Sequence, residues 1–119
     1  MNEYVETARK VITDTAGKVA ETSNNLYNTA RLSLKISKLK TNINECYRKM
    51  GEICYKNYQG KETSEEDAEN LCVQIDKINE RIARLSAEIA ELKGCAVCEN
   101  CGAEIQKDSS YCAKCGAEV

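Results

Sequence analysis

The sequence predicts a mostly α-helical chain. It reads as a long antiparallel helical hairpin of the coiled-coil kind, with a helix before it and a small cysteine-rich β-hairpin module after it. Three observations lead there. Two apolar seams repeat with alternating spacings of three and four, the signature of helices that pack along one stripe. A connection of only a few residues, about 59–63, separates them, which forces neighbouring helices antiparallel. Paired cysteines then crowd into the C-terminal end.

The first seam is Leu32, Ile36, Leu39, Ile43, Cys46, Met50, Ile53 and Asn57. It crosses Gly51, which a helix tolerates at modest cost, and stops before Gly60, the expected C-cap. Thr63-Ser64-Glu65-Glu66 then carries a capping-box pattern that opens the next helix. Its seam is Ala68, Leu71, Ile75, Ile78, Ile82, Leu85, Ile89 and Leu92, closed by Lys93-Gly94. Antiparallel matching sets Ile53 against Leu71, Met50 against Ile75, Cys46 against Ile78 and Ile43 against Ile82. The same register continues to Leu32 against Leu92. Charge agrees with pairing: residues 26–60 carry seven basic and two acidic groups, residues 61–94 five and nine.

The N-terminal segment holds a second, narrower stripe: Val5, Ala8, Ile12, Ala16, Val19, Ser23, Leu26 and Ala30. Run backwards, the hairpin seam lands instead on the polar Thr29, Asn25 and Thr22. The two stripes are out of phase, so the N-terminal one must bury itself against something other than the second helix. Thr22-Ser23-Asn24-Asn25 is the expected break. The resulting division is residues 1–25 for the amphipathic N-terminal helix, 26–94 for the coiled-coil hairpin and 95–119 for the cysteine-rich module.

That module reads Cys98-Glu99-Asn100-Cys101-Gly102, nine residues, then Cys112-Ala113-Lys114-Cys115-Gly116. Two residues between cysteines let one tight turn aim both sulfurs at one ion, and the glycine after each pair lets the backbone turn back without a Cβ. Four thiolates suit tetrahedral Zn²⁺. Thioredoxin-like redox chemistry would need a βαβ context that is absent. Cys95-Ala96-Val97-Cys98 is also a CxxC, so Cys95 competes as a ligand, but Gly102 favours the Cys98–Cys101 knuckle. Nine intervening residues suffice for a short hairpin that brings the second pair opposite the first. Cys46, Cys54 and Cys72 read as small apolar residues, with Cys54 and Cys72 placed near each other by the layer matching.

The two CxxCG knuckles, with Tyr111 ahead of the second, resemble the short zinc-ribbon domain. The order of helical segment, helical hairpin and ribbon is similar to small bacterial zinc-ribbon-domain proteins. The resemblance implies one structural zinc held by Cys98, Cys101, Cys112 and Cys115, and packing of Tyr111 against the knuckles. Ribbons of this kind often carry Pro inside the first knuckle, where this chain has Glu99-Asn100. The domain implies no particular activity.

Several function classes recede on composition alone. The chain of 119 residues has no His, Trp, Phe or Pro, which removes the commonest acid–base group. No nucleophile–base pair, phosphate loop or open metal position is visible, so no catalytic residues are expected. A formal net charge of −2 disfavours strong nucleic-acid binding. The ribbon itself has Lys107 and Lys114 against Glu99, Glu104, Asp108 and Glu118. Arg31, Lys35, Lys38 and Lys40 are the one basic cluster. The N-terminal stripe lacks the bulky anchors of a membrane-surface helix. The opening residues lack a signal-peptide pattern, and CxxC pairs used as metal ligands fit a reducing compartment. These features point to a cytoplasmic, non-enzymatic protein that meets an unidentified protein partner, or further copies of itself.

Overall fold

The computed structural model describes residues 2–119, the side chain of Val19 excepted. Two α-helices and one pair of short strands make up the chain: α1 (Asn2–Tyr58), α2 (Glu65–Leu92), β1 (Cys95–Val97) and β2 (Glu104–Gln106). The molecule measures 89 × 30 × 16 Å. Its long dimension is that of α1, since 57 residues at 1.5 Å each span about 85 Å.

The break expected at Thr22–Asn25 does not occur; α1 runs through it without interruption. These residues are mediocre helix formers that cost only a few tenths of a kcal/mol each, and neither Pro nor Gly stands among them. Asn25 also has a tertiary task. Its side-chain amide donates to the Leu92 carbonyl at 3.4 Å, one of the last-turn carbonyls of α2 that lack an intrahelical donor. Of the polar residues on the backward seam, Asn25 and Thr29 are half-buried and Thr22 is exposed; Asn28 is half-buried as well, while Leu26, Tyr27 and Ala30 are exposed.

α1 ends in a Schellman motif. The Gly60 N–H donates to Asn57 and the Lys61 N–H to Lys56, both at 3.0 Å, which satisfies two orphan carbonyls. α2 opens one residue later than the capping-box pattern suggested. Ser64 is the N-cap, and its hydroxyl accepts from the Asp67 N–H at 3.4 Å. Three acidic residues in the first turn, Glu65, Glu66 and Asp67, favour the positive end of the helix dipole.

Ile43 and Cys46 of α1 and Leu71 and Ile75 of α2 form a buried cluster, with Met50, Ile53, Ile78 and Ile82 packed against it. Cys46 also points its thiol at the Gln74 side-chain oxygen, 3.7 Å away. The second buried group lies where α2 ends: Leu32, Ile89 and Ala90. Among the described residues no ion pair joins α1 to α2. Arg48 instead pairs with Glu45 and Glu52 of its own helix, where solvent leaves such pairs little net worth. Cys54 and Cys72 are exposed free thiols.

Residues 2–24 are exposed at every described position. The N-terminal stripe therefore has no cover within the chain, with Val5 at 57% and Ile12 at 68% exposure. Val19, counted in that stripe, has a side chain outside the described set. Among the described residues no helix is long and apolar enough to cross a membrane.

Candidate metal centre

The cysteine-rich end sits beside the close of α2. β1 and β2 pair antiparallel, Cys95 with Gln106, Ala96 with Ile105 and Val97 with Glu104. The hairpin therefore wraps the first knuckle, residues 98–103, where the spacing had suggested one between the knuckles. The second knuckle is closed by its own bridge, Tyr111 with Glu118, and by the Val119 N–H on the Ser110 carbonyl at 2.9 Å. A small crevice is lined by Ser33, Ile36 and Lys40 of α1, Ser86, Ile89 and Lys93 of α2, and Val97, Gly102 and Glu104 of the ribbon. Lys93 reaches Glu104 at 3.1 Å across this junction.

The two knuckles repeat one backbone pattern. The Cys98 N–H donates to the Ala103 carbonyl at 2.9 Å, and the Gly102 N–H returns to the Cys98 carbonyl at 2.8 Å. In the second knuckle, the Cys112 N–H donates to Ala117 at 2.8 Å and the Gly116 N–H to Cys112 at 2.9 Å. Gly102 and Gly116 both lie at positive φ, 74° and 77°, a region that L-residues with a Cβ avoid. The glycine after each CxxC is thus the residue that lets the chain reverse and bring its N–H back.

The four predicted cysteines converge. The Sγ atoms of Cys98, Cys101, Cys112 and Cys115 all lie within 4.8 Å of one another. Cys98 is 3.7 Å from Cys115 and Cys101 is 3.5 Å from Cys112. A tetrahedron with ligand distances of about 2.3 Å has S–S edges of about 3.8 Å, so the set fits one zinc ion. The same distances are far too long for disulfides, and all four thiols are free. Cys95 lies outside the group, with its thiol turned to the Lys93 carbonyl at 3.8 Å. Cys98 and Cys112, the first cysteine of each knuckle, are buried, while Cys101 and Cys115 are exposed.

The electrostatics favour negative charge on part of the set even without metal. The Asn100 amide donates to Cys115 Sγ at 3.5 Å. With help from the Ala117 N–H it draws that thiol down to about 6. The N–H groups of Cys115 and Lys114 lower Cys112. At Cys101 the Ala103 N–H also pulls downward, but desolvation and the protons shared with Cys112, Cys115 and Cys98 outweigh it, leaving the thiol up at about 11. Thiolates are the metal-binding form, and a bound dication would replace the remaining protons. With four protein sulfurs supplied, such a site is closed.

Two features escaped sequence reasoning. The first knuckle carries Glu99-Asn100 where ribbons often include a Pro, and the Asn100 side chain supplies a hydrogen bond to a candidate ligand. Tyr111, expected to pack against the knuckles, is 64% exposed. Its backbone rather than its ring does the structural work, through the bridge to Glu118. No signal in one sequence separates those two uses.

No curated protein and no solved structure matches the chain. Residues 97–119 match the family model of the zinc-ribbon domain. The C-terminal end of this chain is therefore a zinc-ribbon domain whose four cysteines could hold one zinc ion.

Proposed function

We propose that the chain is a non-enzymatic, cytoplasmic zinc-binding protein: a protein-interaction or scaffold module whose helices form an antiparallel coiled-coil hairpin and whose zinc is structural. The closed four-thiol cluster carries the reading. Catalytic zinc keeps a position for water or substrate, whereas a complete Cys₄ shell has none. Support for the interaction role comes from the exposed stripe on residues 2–24, since a lone amphipathic helix gains little stability in water until its apolar face is covered. Metal analysis of protein purified with its thiols reduced tests the site. One zinc per chain, lost in Cys112→Ser, is the expected result, and a metal-free reduced protein overturns it.

A second reading is nucleic-acid binding. One observation favours it: Arg31, Lys35, Lys38 and Lys40 are exposed, and none of them makes an ion pair among the described residues. The ribbon opposes it, because a groove on it sets Glu99 and Glu118 against Lys107 alone, and four thiolates around Zn²⁺ would add further negative charge. Phosphate binding through four cations falls steeply with salt. Affinity for duplex DNA or RNA measured across a salt series separates the readings, and a steep slope abolished by charge reversal at Lys35 and Lys38 favours the second.

A further inference from the structure

We infer that Cys54 and Cys72 form a redox couple: a dithiol in the reduced chain that a small disulfide of the glutathione type closes into a bond between α1 and α2. This rests on the antiparallel-hairpin reading and adds a covalent state to it.

Exposure singles the pair out. The chain has eight cysteines. The sulfurs of Cys98, Cys101, Cys112 and Cys115 form the ribbon cluster. Cys46 is buried beside Gln74, and Cys95 is half-buried with its thiol on the Lys93 carbonyl. Cys54 and Cys72 are the exposed thiols that remain. They flank the connection between the helices, and Cys72 lies about 30 Å along α2 from the ribbon. Their chemistry is therefore separate from that of the metal centre.

Register sets them opposite each other. Each directly follows a residue of the cluster between the helices, Ile53 on α1 and Leu71 on α2. In an antiparallel pair, residues that follow corresponding seam positions leave the seam on the same flank. The crevice beside the ribbon marks that flank: Ser33 and Lys40 of α1 line it together with Lys93 and Ser86 of α2. Heptad steps from these residues lead through Tyr47 to Cys54 on α1, and through Asn79 to Cys72 on α2. The other flank carries its own groove, where Lys49 and Lys56 face Asp67 and Gln74, and neither cysteine lines it. The two thiols thus share a level, a flank and access to solvent.

The exchange balances with the small disulfide as its oxidant. The thiolate of one cysteine attacks that disulfide, the S–S bond breaks, and one small thiol leaves. The second cysteine attacks the resulting mixed disulfide, which forms the Cys54–Cys72 bond and releases the second small thiol. The two protein protons end on the two released thiols, and the two electrons given up by the cysteines reduce the small disulfide. Because the second step is intramolecular, its effective concentration is high and the mixed disulfide should be short-lived. The product ties α1 to α2 across the connection.

Oxidised glutathione added to the reduced, full-length, zinc-loaded chain, followed by tryptic mapping without reductant, tests this. The expected product is a monomer lighter by two hydrogens, with residues 50–56 joined to residues 62–77 and zinc content unchanged. In Cys54→Ser or Cys72→Ser the remaining thiol should instead keep glutathione, at about tenfold or more the level on either cysteine of the parent. A parent chain that carries glutathione on both cysteines, or that couples Cys54 to Cys54 of another copy, overturns the proposal. A photo-crosslinking residue in place of Lys40 reports on the hairpin separately. Coupling near Ser86 without a Cys54–Cys72 bond removes the redox couple and leaves the hairpin standing; coupling elsewhere removes both.

Discussion

Replacing Gly102 or Gly116 by Ala isolates what the knuckle backbone contributes to metal binding. A Cβ built at either position meets no heavy atom within 4 Å, so steric crowding contributes nothing. What remains is the positive φ of 74° or 77°, which costs an L-residue about 1–2 kcal/mol. The knuckle that would hold zinc requires this turn, so the cost of keeping it should fall on zinc affinity. At 1.4 kcal/mol per tenfold, the loss is about 5- to 30-fold, and nearly equal at the two sites because their geometries match. Gly51→Ala is the control. It too adds a Cβ to open space, but inside α1, where Ala should stabilise by about 0.5–1 kcal/mol and leave zinc affinity untouched. Competition against a chromophoric chelator, with thiols kept reduced, measures all three. Affinities of Gly102→Ala and Gly116→Ala within twofold of the parent would refute the argument, as would a loss far beyond a hundredfold, which only a steric clash or a collapsed ribbon would produce.

Other expectations concern single residues. Cys95→Ser should keep the full zinc content, because Cys95 stands outside the sulfur cluster; metal analysis decides. Zinc should be released on acidification, as protons displace it from the thiolates. Cys115 is held down to about 6 chiefly by Asn100, so its thiolate advantage is complete above the ordinary thiol range and disappears as pH falls through about 6. Asn100→Ala raises that thiol and should move the release midpoint to higher pH, read by a zinc-sensitive dye. Ile43→Ala removes a buried side chain from the cluster between α1 and α2 and should cost about 2–4 kcal/mol, measured by denaturant unfolding followed by circular dichroism.

The site was the most legible part of the chain. CxxCG repeated twice carries both its donors and its turn residues in five letters, and the four cysteines it singles out are the four whose sulfurs converge. The core near the connection was legible for a similar reason: Ile43, Cys46, Leu71 and Ile75 lie on clean heptads. Where residue type and role part company, reading failed. Thr22-Ser23-Asn24-Asn25 looks like punctuation, yet Asn25 serves a carbonyl sixty-seven residues away, a contact that local propensity has no access to. Asn100 looks like a departure from a rigid knuckle and instead donates to a sulfur. The strands fell on either side of the first knuckle because the turn closing it, Cys98 to Ala103, is itself the head of a hairpin. Spacing counted the residues between the pairs and overlooked the turn inside one.

The alternation of burial around the knuckles gives the proposed metal an inner and an outer face. Cys98 and Cys112 are shut against the protein, at 1% and 3% exposure, while Cys101 and Cys115 look outward. Oxidants and competing chelators would therefore meet the thiols of Cys101 and Cys115, one from each knuckle, before the buried pair. Of the residues that would hold the ion, Cys101 and Cys115 are the pair open to a competing ligand, and Cys98 and Cys112 the pair shielded from it. With zinc bound, a small thiol donor would reach two of the four sulfurs first, so access to that pair would matter to metal exchange alongside the affinity of all four.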